Sequence, residues 1–491
     1  MDFNFSDILV LNVYLKGFHM LRTCVVGMLI LFVGCVSQAW SEAFPGAQGY
    51  GAVATGGRGG KVVFVTSTDD NPKNPAPGTL RWACEKLNGP RIVVFRTGGV
   101  ILLNRPLTVK SGDLTLAAQT APGDGICLAG SPLRIYGSNV ILRGLRIRPG
   151  DGAGTKGSNR DCLQISGNVQ KVIVDHCSMT WATDETLDIS TWPHVKDAKL
   201  RDITVQWCVI GQALNNSIHP EGAHSAGVLI WGQDIDRVSL HHNLIASNGI
   251  RNPRIAGNVK VQIINNLMYN WGKQGTNLSV IGAHQDKWGS VTPGVNPVVD
   301  LQVGLFGNCW LPGPDTDMNR HPIIVQKMPK NPHCAFMSDN LLLTDFNPKN
   351  AKTKHKDLIN KTKCVAPQGL HIKPFEVNVQ PAASVLSTVL ANCGAMNPQR
   401  DQIDKQIIAG IKNLTGKIID SPKDVGGYPD YRKGQSPIDT DQDGMPDTWE
   451  TTHQLDPKTS DANGRKIDAD YDNIEVYINS LIQMQSSDSA M

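Results

Sequence analysis

Five stretches of the chain share one alternation of apolar and polar positions. They read VILRGLRI, VIVDHCSM, ITVQWCVI, VSLHHNLI and VQIINNLM, and they begin at residues 140, 172, 203, 238 and 261. Each carries apolar residues at its first and third positions and Leu, Cys or Asn at its sixth. Alternation of this kind is typical of β-strands, and its recurrence at intervals of a few tens of residues indicates coils that stack on one another.

A second, shorter strand pattern precedes several of these stretches, at Cys162–Ser166, Leu187–Ser190 and Val228–Trp231. Strands that recur with variable insertions favour an all-β fold, a right-handed parallel β-helix, in which the sixth-position asparagines stack into a ladder. Asn340–Leu343 fits the pattern as a last copy. The alternative fold is a β-sandwich of consecutive hairpins, which the scarcity of two-residue turns disfavours.

Helical patterns are few, and they lie outside the repeat. Apolar residues at helical spacing predict helices at Thr79–Leu87, Ala383–Asn392, Arg400–Asn413 and Ile474–Ile482. We expect the second and third of these helices to pack on the solenoid or to cap its end, because an uncapped coil exposes strand edges.

Composition and the first residues indicate a secreted protein. The 491-residue chain has 48 glycines, 29 prolines and 6% aromatic residues, which fits many turns better than a helical bundle. Its formal net charge of +3 gives no argument for a nucleic-acid partner. Residues 1–43 are predicted to be an export signal, in which Lys16 and Arg22 precede the apolar run Cys24–Val36. That run is too short to span a membrane, so we expect a secreted protein, with a lipid anchor as the alternative. We also expect a monomer.

Nine of the eleven cysteines follow the signal. Cys162, Cys177 and Cys208 fall within strand patterns and are expected to be buried thiols. A disulfide between Cys309 and Cys334, or between Cys364 and Cys393, is left open. Because the sequence has no paired CxxC motifs, it predicts no zinc site.

Candidate chemistry is concentrated between residues 160 and 256. The phrases RDCLQIS and VDHCSMTWATDETLDIS supply the carboxylates of Asp161, Asp184 and Asp188. The loop GIRNPRI then brings Arg251 and Arg254 into the same run. If stacked coils bring the three carboxylates together, they form a site for a hard cation such as Ca²⁺, and the neighbouring arginines indicate an anionic substrate.

A second calcium pattern lies near the end of the chain, in DTDQDGMPDTWE (439–450). Its spacing matches the D-x-D-x-D-G-x₅-E loop, in which alternate oxygens converge on one Ca²⁺ and the glycine permits a sharp turn. The predicted ligands are Asp439, Asp441, Asp443 and Glu450. The loop resembles the repeats of thrombospondin type 3 and dockerin modules, and Asp468, Asp470 and Asp472 could extend it.

The motifs VILRGLRIRPGDG, RDCLQI, VDHCSMTWATDETLDI, HHNLIASN and RNPR together resemble the pectate lyases of polysaccharide lyase family 1. The resemblance covers roughly residues 44–345 and implies a right-handed parallel β-helix that cleaves polygalacturonate by β-elimination. It implies calcium ligands at Asp161, Asp184 and Asp188. It also implies a catalytic base at Arg251. The expected organisation is a signal (1–43), the lyase domain (44–345), a capping extension (346–436) and a calcium-binding module (437–491).

The chain departs from this family at two positions. The family carries a second arginine where this chain has Ala256, so Arg254 is the candidate replacement. The family's substrate-binding lysine has no clear match, and the phrase HPEGAHSAG offers His219 and His224 as substrate-binding residues instead. Two alternatives therefore stay open, a catalytically silent carbohydrate-binding solenoid and a hydrolase of the same polymer, although the paired carboxylates that a hydrolase needs are not visible.

Overall fold

The computed structural model describes residues 41–154, 159–191, 198–279, 301–326, 333–367 and 374–485. The predicted export signal at residues 1–43 lies almost entirely outside these ranges. Among the described residues, no helix is both long enough and apolar enough to cross a membrane. The unit that begins at Glu42 contains all the elements discussed below.

The strands form three parallel faces that the chain visits in turn, called the first, second and third sheets below. The first and second are joined into one continuous 16-stranded sheet, and the third is a separate sheet of nine strands. The first sheet contains Leu107–Val109, Leu133–Ile135, Leu163–Ser166, Glu185–Ser190, Thr276–Ser279 and Ile323–Val325. The second contains Lys61–Val65, Arg91–Phe95, Leu114–Ala117, Val140–Arg143, Val169–Asp175, Leu200–Gln206, Gln302–Phe306 and Ala335–Ser338. The third contains Gly99–Leu102, Ile126–Ala129, Arg146–Arg148, Ser178–Thr180, Val209–Gly211, Leu244–Ala246, Leu267–Tyr269, Cys309–Leu311 and Leu341–Leu342.

Two long strands connect the first sheet to the second. The beginning of Ala226–His241 pairs with Glu185–Ser190 in the first sheet, and its end pairs with Leu200–Gln206 in the second. Arg254–Ile264 bridges the same two sheets one coil further along. Every strand pair described is parallel, so the predicted parallel β-helix is confirmed and the hairpin sandwich is wrong. The right-handed sense of the coil stays a prediction.

The core lies between the three sheets, and it follows from the alternation seen in the sequence. In the first sheet Leu163 and Ile165 point into a continuous apolar cluster, while Gln164 between them faces outward. Because coils stack in register, Leu163 lies beside Leu133 and Leu187, so apolar residues contact apolar residues along the whole solenoid. Burial of such side chains stabilises the fold by about 1.5–3 kcal/mol each.

The predicted asparagine ladder is present at the bend between the second and third sheets. The side-chain oxygens of Asn243, Asn266, Asn308 and Asn340 each accept the backbone N–H of the equivalent residue one coil earlier, at 2.9–3.0 Å. The side-chain N–H groups of the same residues donate to backbone carbonyls, as Asn266 does to Leu240. The ladder therefore satisfies buried polar groups of the bend. The repeat pattern did not list Asn308, whose strand follows a long insertion.

The first two helices contribute Leu80, Ala83 and Leu358 to the core inside the coil, and the other four helices pack against its outer faces. In the described part of the chain, the helices are Leu80–Glu85, His355–Leu358, Ala382–Asn392, Gln402–Lys412, Asp447–Thr452 and Asn473–Ser480, with 3₁₀ turns at Tyr50–Val53, Ala118–Thr120, Pro348–Asn350, Thr362–Cys364 and Pro422–Val425. All four helices predicted from the sequence exist, within a few residues of their expected bounds. Ala382–Asn392 and Gln402–Lys412 cover apolar residues on the outer face of the third sheet, including Leu244 and Leu267.

Neither disulfide considered from the sequence forms. Cys309, Cys334 and Cys393 are reduced thiols in the structure, and each is buried. The stacking of coils explains this result, because it places the backbone of Cys334 beside that of Cys364, whose carbonyl accepts its N–H at 3.0 Å. The expectation of buried thiols at Cys162, Cys177 and Cys208 is confirmed.

The ladder provides a test of the fold. Replacing Asn266 with Ala would leave the backbone N–H of Asn243 without its acceptor in a fully buried bend. We expect Asn266→Ala to lower the free energy of unfolding by about 3 kcal/mol, because unsatisfied buried polar groups cost about 1–3 kcal/mol each. Urea unfolding followed by circular dichroism measures this loss. Asn74→Ala in an exposed loop is the control, and equal stability of the two variants would contradict the role of the ladder.

Candidate active site

A row of polar side chains crosses the outer face of the first sheet. Registered pairing places Arg134, Gln164, Asp188, Leu229, Arg254 and Asn277 side by side on successive strands. Their neighbours along each strand point into the core, so these residues point outward by the period of two that a strand imposes. Asp188 lies in the middle of the row, with one arginine two strands away on either side.

Three further carboxylates, those of Asp161, Asp184 and Glu185, gather beside this row. Asp161 lies two residues before Leu163–Ser166, and Asp184 lies one residue before Glu185–Ser190. The register of these two strands brings Asp161 next to Glu185, whose backbone N–H donates to Asp161 Oδ1 at 3.1 Å. Ligand-capable atoms of Asp161, Asp184 and Glu185 lie within 4.8 Å of one another. The structure therefore brings Asp161 and Asp184 together with Glu185, while Asp188 acts on Asp161 through its charge. The role of these residues as metal ligands stays a prediction.

The carboxylates of this cluster repel one another. Burial, together with the charges of Asp188 and Asp184, raises the pKa of Asp161 well above its usual range. Burial also raises the pKa of Asp188 to about 6, although Gln164 and Ser190 donate hydrogen bonds to its Oδ2, both at 2.9 Å. Its other oxygen, Oδ1, is buried and has no hydrogen-bond partner among the described residues.

Two histidines hold the outermost carboxylate. Nε2 of His224 lies 2.9 Å from Asp184 Oδ1, and Nε2 of His219 lies 3.6 Å from Oδ2. The two imidazole rings stack with centroids 3.9 Å apart. Burial by itself would raise the pKa of Asp184, but the close contacts with His219 and His224 outweigh burial and hold that pKa below its usual range. Asp184 is therefore the member of the cluster that is most firmly ionised.

The tautomer of His219 follows from its surroundings. Its Nδ1 accepts the backbone N–H of Glu221 at 3.2 Å, so in the neutral ring the proton lies on Nε2. That nitrogen faces Asp184 Oδ2 at 3.6 Å, which is longer than a hydrogen bond. Ligand-capable atoms of Asp184, His219 and His224 lie within 4.8 Å of one another. The histidines thus orient Asp184, and their predicted role in substrate binding stays a prediction.

Arg251 approaches the same cluster from the next coil. It lies in the loop after Leu244–Ala246 in a left-handed conformation with φ 62°, and its Nη1 pairs with Glu185 Oε1. Burial, followed by the charge of Arg254, lowers the pKa of Arg251 to about 10. Its side chain is 17% exposed, so a ligand on this face could reach the guanidinium.

Several residues of this site were missed in the sequence. Glu185 stands in the same phrase as Asp184 and Asp188 but was not singled out, because nothing in the spacing shows that it faces Arg251. Arg134 and Gln164 lie in the polar row, and the period-two alternation of their strands could have revealed them. The buried Nε atoms of Arg134, Arg251 and Arg254 have no hydrogen-bond partner in the described ranges.

The cluster suits a hard divalent cation. Its donors are carboxylate oxygens, which Ca²⁺ prefers, and a cation would relieve their mutual repulsion. Oδ1 of Asp188 accepts no hydrogen bond from the described residues, so this oxygen is available as an additional ligand. The residues present therefore fit calcium, with Glu185 as a neighbouring carboxylate that already pairs with Arg251.

The other predicted metal ligands lie elsewhere on the coil. Asp439, Asp441, Asp443 and Glu450 come together beside the second sheet, and Arg96, directly after the strand Arg91–Phe95 of that sheet, pairs with Asp439. They contribute nothing to the cluster on the first sheet. The described residues therefore contain two separate groups of carboxylates.

Comparisons with known proteins agree with this architecture. The chain is 32% identical over 452 residues to a protein from Aspergillus flavus described as probable pectate lyase C, covering 90% of this chain and 94% of the relative. A probable pectate lyase C from Emericella nidulans is 32% identical over 466 residues, with 93% and 96% covered. Among solved structures, the major allergen from cedar pollen, jun a 1, matches with a TM-score of 0.50 at 19% identity over 71% of this chain and 92% of the allergen, a likeness of fold alone. No protein-family model matches the chain.

The repulsion in the cluster predicts a dependence of stability on pH. The pKa of Asp188 rises from 3.8 to about 6 on folding, so its ionisation costs stability. In the presence of EGTA, the free energy of unfolding should fall as the pH increases from 4 to 7. The contribution of Asp188 to this fall should be about 3 kcal/mol, the equivalent of roughly two pKa units.

Asp188→Asn retains the shape of the side chain and removes its charge, so its stability should fall less steeply over the same range. Asp69→Asn, which alters an exposed carboxyl, is the matched control and should follow the wild type. Thermal unfolding at several pH values, always with EGTA, measures the three curves. Parallel curves for wild type and Asp188→Asn would show that Asp188 carries no such penalty.

Proposed function

The chain belongs to the pectate lyases, a family of polysaccharide lyases, and from this premise we propose that it is a calcium-dependent enzyme that cleaves α-1,4-linked polygalacturonate by β-elimination. The products would be 4,5-unsaturated oligogalacturonides. The observation that carries the proposal is the position of Arg251, whose guanidinium lies against the carboxylate cluster on the outer face of the first sheet.

Asp161, Asp184 and Asp188 would hold the calcium ion. Bound calcium supplies positive charge that binds the uronate carboxylate and acidifies the neighbouring C5 proton. The protein contributes the ionised carboxylate oxygens of these three aspartates in a fixed arrangement. His219 and His224 favour the ionised form of Asp184, and Gln164 and Ser190 fix the orientation of Asp188.

Arg251 is the proposed base. It would accept the C5 proton while the C4–C5 double bond forms and the C4–O bond breaks, and the departing oxygen would then take up a proton. A guanidinium is a poor base at its usual pKa above about 12. Burial and the neighbouring Arg254 lower the pKa of Arg251 to about 10, which favours the neutral form at alkaline pH. Rates should therefore increase towards alkaline pH.

The polar row supplies a path for an anionic polymer. Arg134 and Arg254 lie on opposite sides of Asp188, four strand spacings apart, which corresponds to about 19 Å. Both are half-buried, and their Nε atoms have no hydrogen-bond partner within the described chain. We propose that they bind uronate carboxylates of one extended chain that crosses the strands, so that the bond to be cleaved lies over the cluster.

The proposal also covers the location of the protein and the choice between the alternative functions. The polymer is too large to enter a cell intact, which agrees with the export signal predicted at residues 1–43, and we propose a secreted monomer. Membership in a lyase family favours catalysis over the silent carbohydrate binder and elimination over hydrolysis.

The role of Arg251 can be tested directly. We expect Arg251→Ala to reduce kcat by about 10²- to 10⁴-fold, the usual contribution of a general base, because the variant lacks the group proposed to accept the C5 proton. Absorbance of the unsaturated product at alkaline pH on polygalacturonate measures the rate. EGTA should abolish the activity of the wild type, and added calcium should restore it.

Arg237→Ala, on the second sheet, is the matched control and should retain full activity. Arg251→Lys keeps the positive charge with a different pKa, so a shifted pH profile would support a base, whereas an unchanged profile would indicate electrostatic binding alone. Full activity of Arg251→Ala would contradict the proposal.

The binding path makes a second prediction. Arg134→Ala should increase KM for long polygalacturonate by about tenfold, equivalent to roughly 1.4 kcal/mol of lost binding, with little change in kcat. The effect should be much smaller on a short oligomer that cannot reach from the cluster to Arg134. Initial rates on polymers of graded length measure the difference, and an equal effect at every length would contradict the path.

A further inference from the structure

The second group of carboxylates lies on a different face of the coil and has no part in the lyase reaction. It is formed by two loops near the end of the chain. Asp439, Asp441 and Asp443 come from the first loop, and their ligand-capable atoms lie within 4.8 Å of one another. Asp443 also lies within 4.8 Å of Glu450 and of Asp461, which comes from the second loop.

Asp461 was not expected from the sequence. The spacing had pointed to Asp468, Asp470 and Asp472 as an extension of the group. Asp472 is instead committed elsewhere, because its carboxylate accepts the backbone N–H of Gly59 at 2.6 Å and the Nε–H of Arg465 at 3.1 Å. The second loop turns Asp461 inward, and its own backbone N–H donates to Asp443 at 3.1 Å.

Glu450 is the observation that points to a ligand. The residue is 0% exposed, and both of its carboxylate oxygens lack a hydrogen-bond partner within the part of the chain described. One oxygen each of Asp441 and Asp461 is likewise buried and unpartnered there. Burial and the charge of Asp443 raise the pKa of Glu450 to about 8. A buried carboxylate without donors is strongly unfavourable unless a cation or a proton compensates it.

The donor set selects the kind of cation. All five side chains offer carboxylate oxygens, and neither histidine nor cysteine takes part, which disfavours zinc and copper. Five carboxylates, four from the two loops and Glu450 from the helix Asp447–Thr452, can supply the six to eight oxygens that Ca²⁺ requires, with Glu450 able to contribute both of its oxygens. Arg96 forms an ion pair with Asp439, and it does not pair with the other four carboxylates.

The segment that carries these residues is fastened to the second sheet. Met445, Leu455, Ile474 and Ile478 share one apolar cluster with Ile92, Val94 and Ala117, which lie on the outer face of that sheet. At Gly444, with φ 103°, an added Cβ would lie 2.9 Å from Val62, so the loop itself touches the strand.

Polar contacts reinforce the same junction. Arg58 pairs with Glu475 at 2.8 Å, and Nη1 of Arg143 donates to Asn479 at 2.9 Å. The side chain of Gln119 donates to the carbonyl of Ile478 at 3.2 Å. The terminal helices therefore share their core with the coil.

We propose that Asp439, Asp441, Asp443, Glu450 and Asp461 bind a structural calcium ion that joins the two terminal loops and thereby clamps residues 437–485 onto the outer face of the second sheet. Without the ion, repulsion among the five carboxylates opposes closure of the two loops. With it, the loops close and the apolar face of Ile92, Val94 and Ala117 stays covered. The clamp is independent of the lyase chemistry.

Glu450→Gln in the full-length chain tests the clamp, with Asp470→Asn as the matched control, because Asp470 is an exposed acid of the same segment. Isothermal titration with calcium should show one binding event fewer in Glu450→Gln, or a Kd increased at least tenfold for that event. Limited proteolysis should release the segment after residue 434 from the wild type in EGTA but not in calcium. In Glu450→Gln the cleavage should occur in both conditions, while lyase activity at saturating calcium changes by less than about twofold before proteolysis.

Asp461→Asn removes the ligand of the second loop and should show the same loss, which covers the case in which Glu450→Gln fails to fold. Asp188→Asn should lose the other calcium-binding event and keep the calcium protection of the segment, so failure of the clamp and failure of the catalytic site are distinguishable. If Glu450→Gln and Asp461→Asn bind calcium and resist proteolysis as the wild type does, the proposal is overturned.

Discussion

Stacking of the coils in register is the constraint on which this structure depends. Each strand lies beside the equivalent strand of the next coil, so a residue repeats its neighbour's environment one strand spacing away. Side chains that point into the coil are therefore apolar along the whole stack. The buried backbone N–H and C=O groups at the bend between the second and third sheets need hydrogen-bond partners. The ladder from Asn243 to Asn340 provides those partners. The outer face of each sheet is left free to carry other side chains.

In the candidate active site the same stacking places charged side chains close together. Residues on neighbouring coils, such as Asp161 and Glu185, are held about one strand spacing apart whatever their charge. The fold thus forces carboxylates into a cluster that they would not form alone, with the consequence that the pKa of Asp161 and of Asp188 is raised. Burial of apolar side chains along the solenoid offsets the stability that this repulsion costs. A divalent cation bound to the cluster would reduce the repulsion.

The terminal segment covers an apolar outer face that the stacked coils leave exposed. The outer face of the second sheet exposes apolar residues near Ile92, and helices brought from the far end of the chain cover them. Their loops carry a second group of acids around Glu450. On the first sheet an acidic cluster faces the proposed substrate path, whereas here the acids lie between the terminal loops and the sheet that they cover. In our two proposals, carboxylates serve catalysis in one place and attachment in the other.

The sequence by itself determined the coil, its inward faces and most of the ladder, because these follow a period of two along a strand and recur from coil to coil. It also located Asp161, Asp184, Asp188 and Arg251 in one run. Only the tertiary structure decided that Glu185 pairs with Arg251, that His219 and His224 hold Asp184, and that Asp461 rather than Asp472 joins Glu450. These contacts join loops that have no repeat, and loop closure depends on the packing of the whole chain rather than on any local pattern.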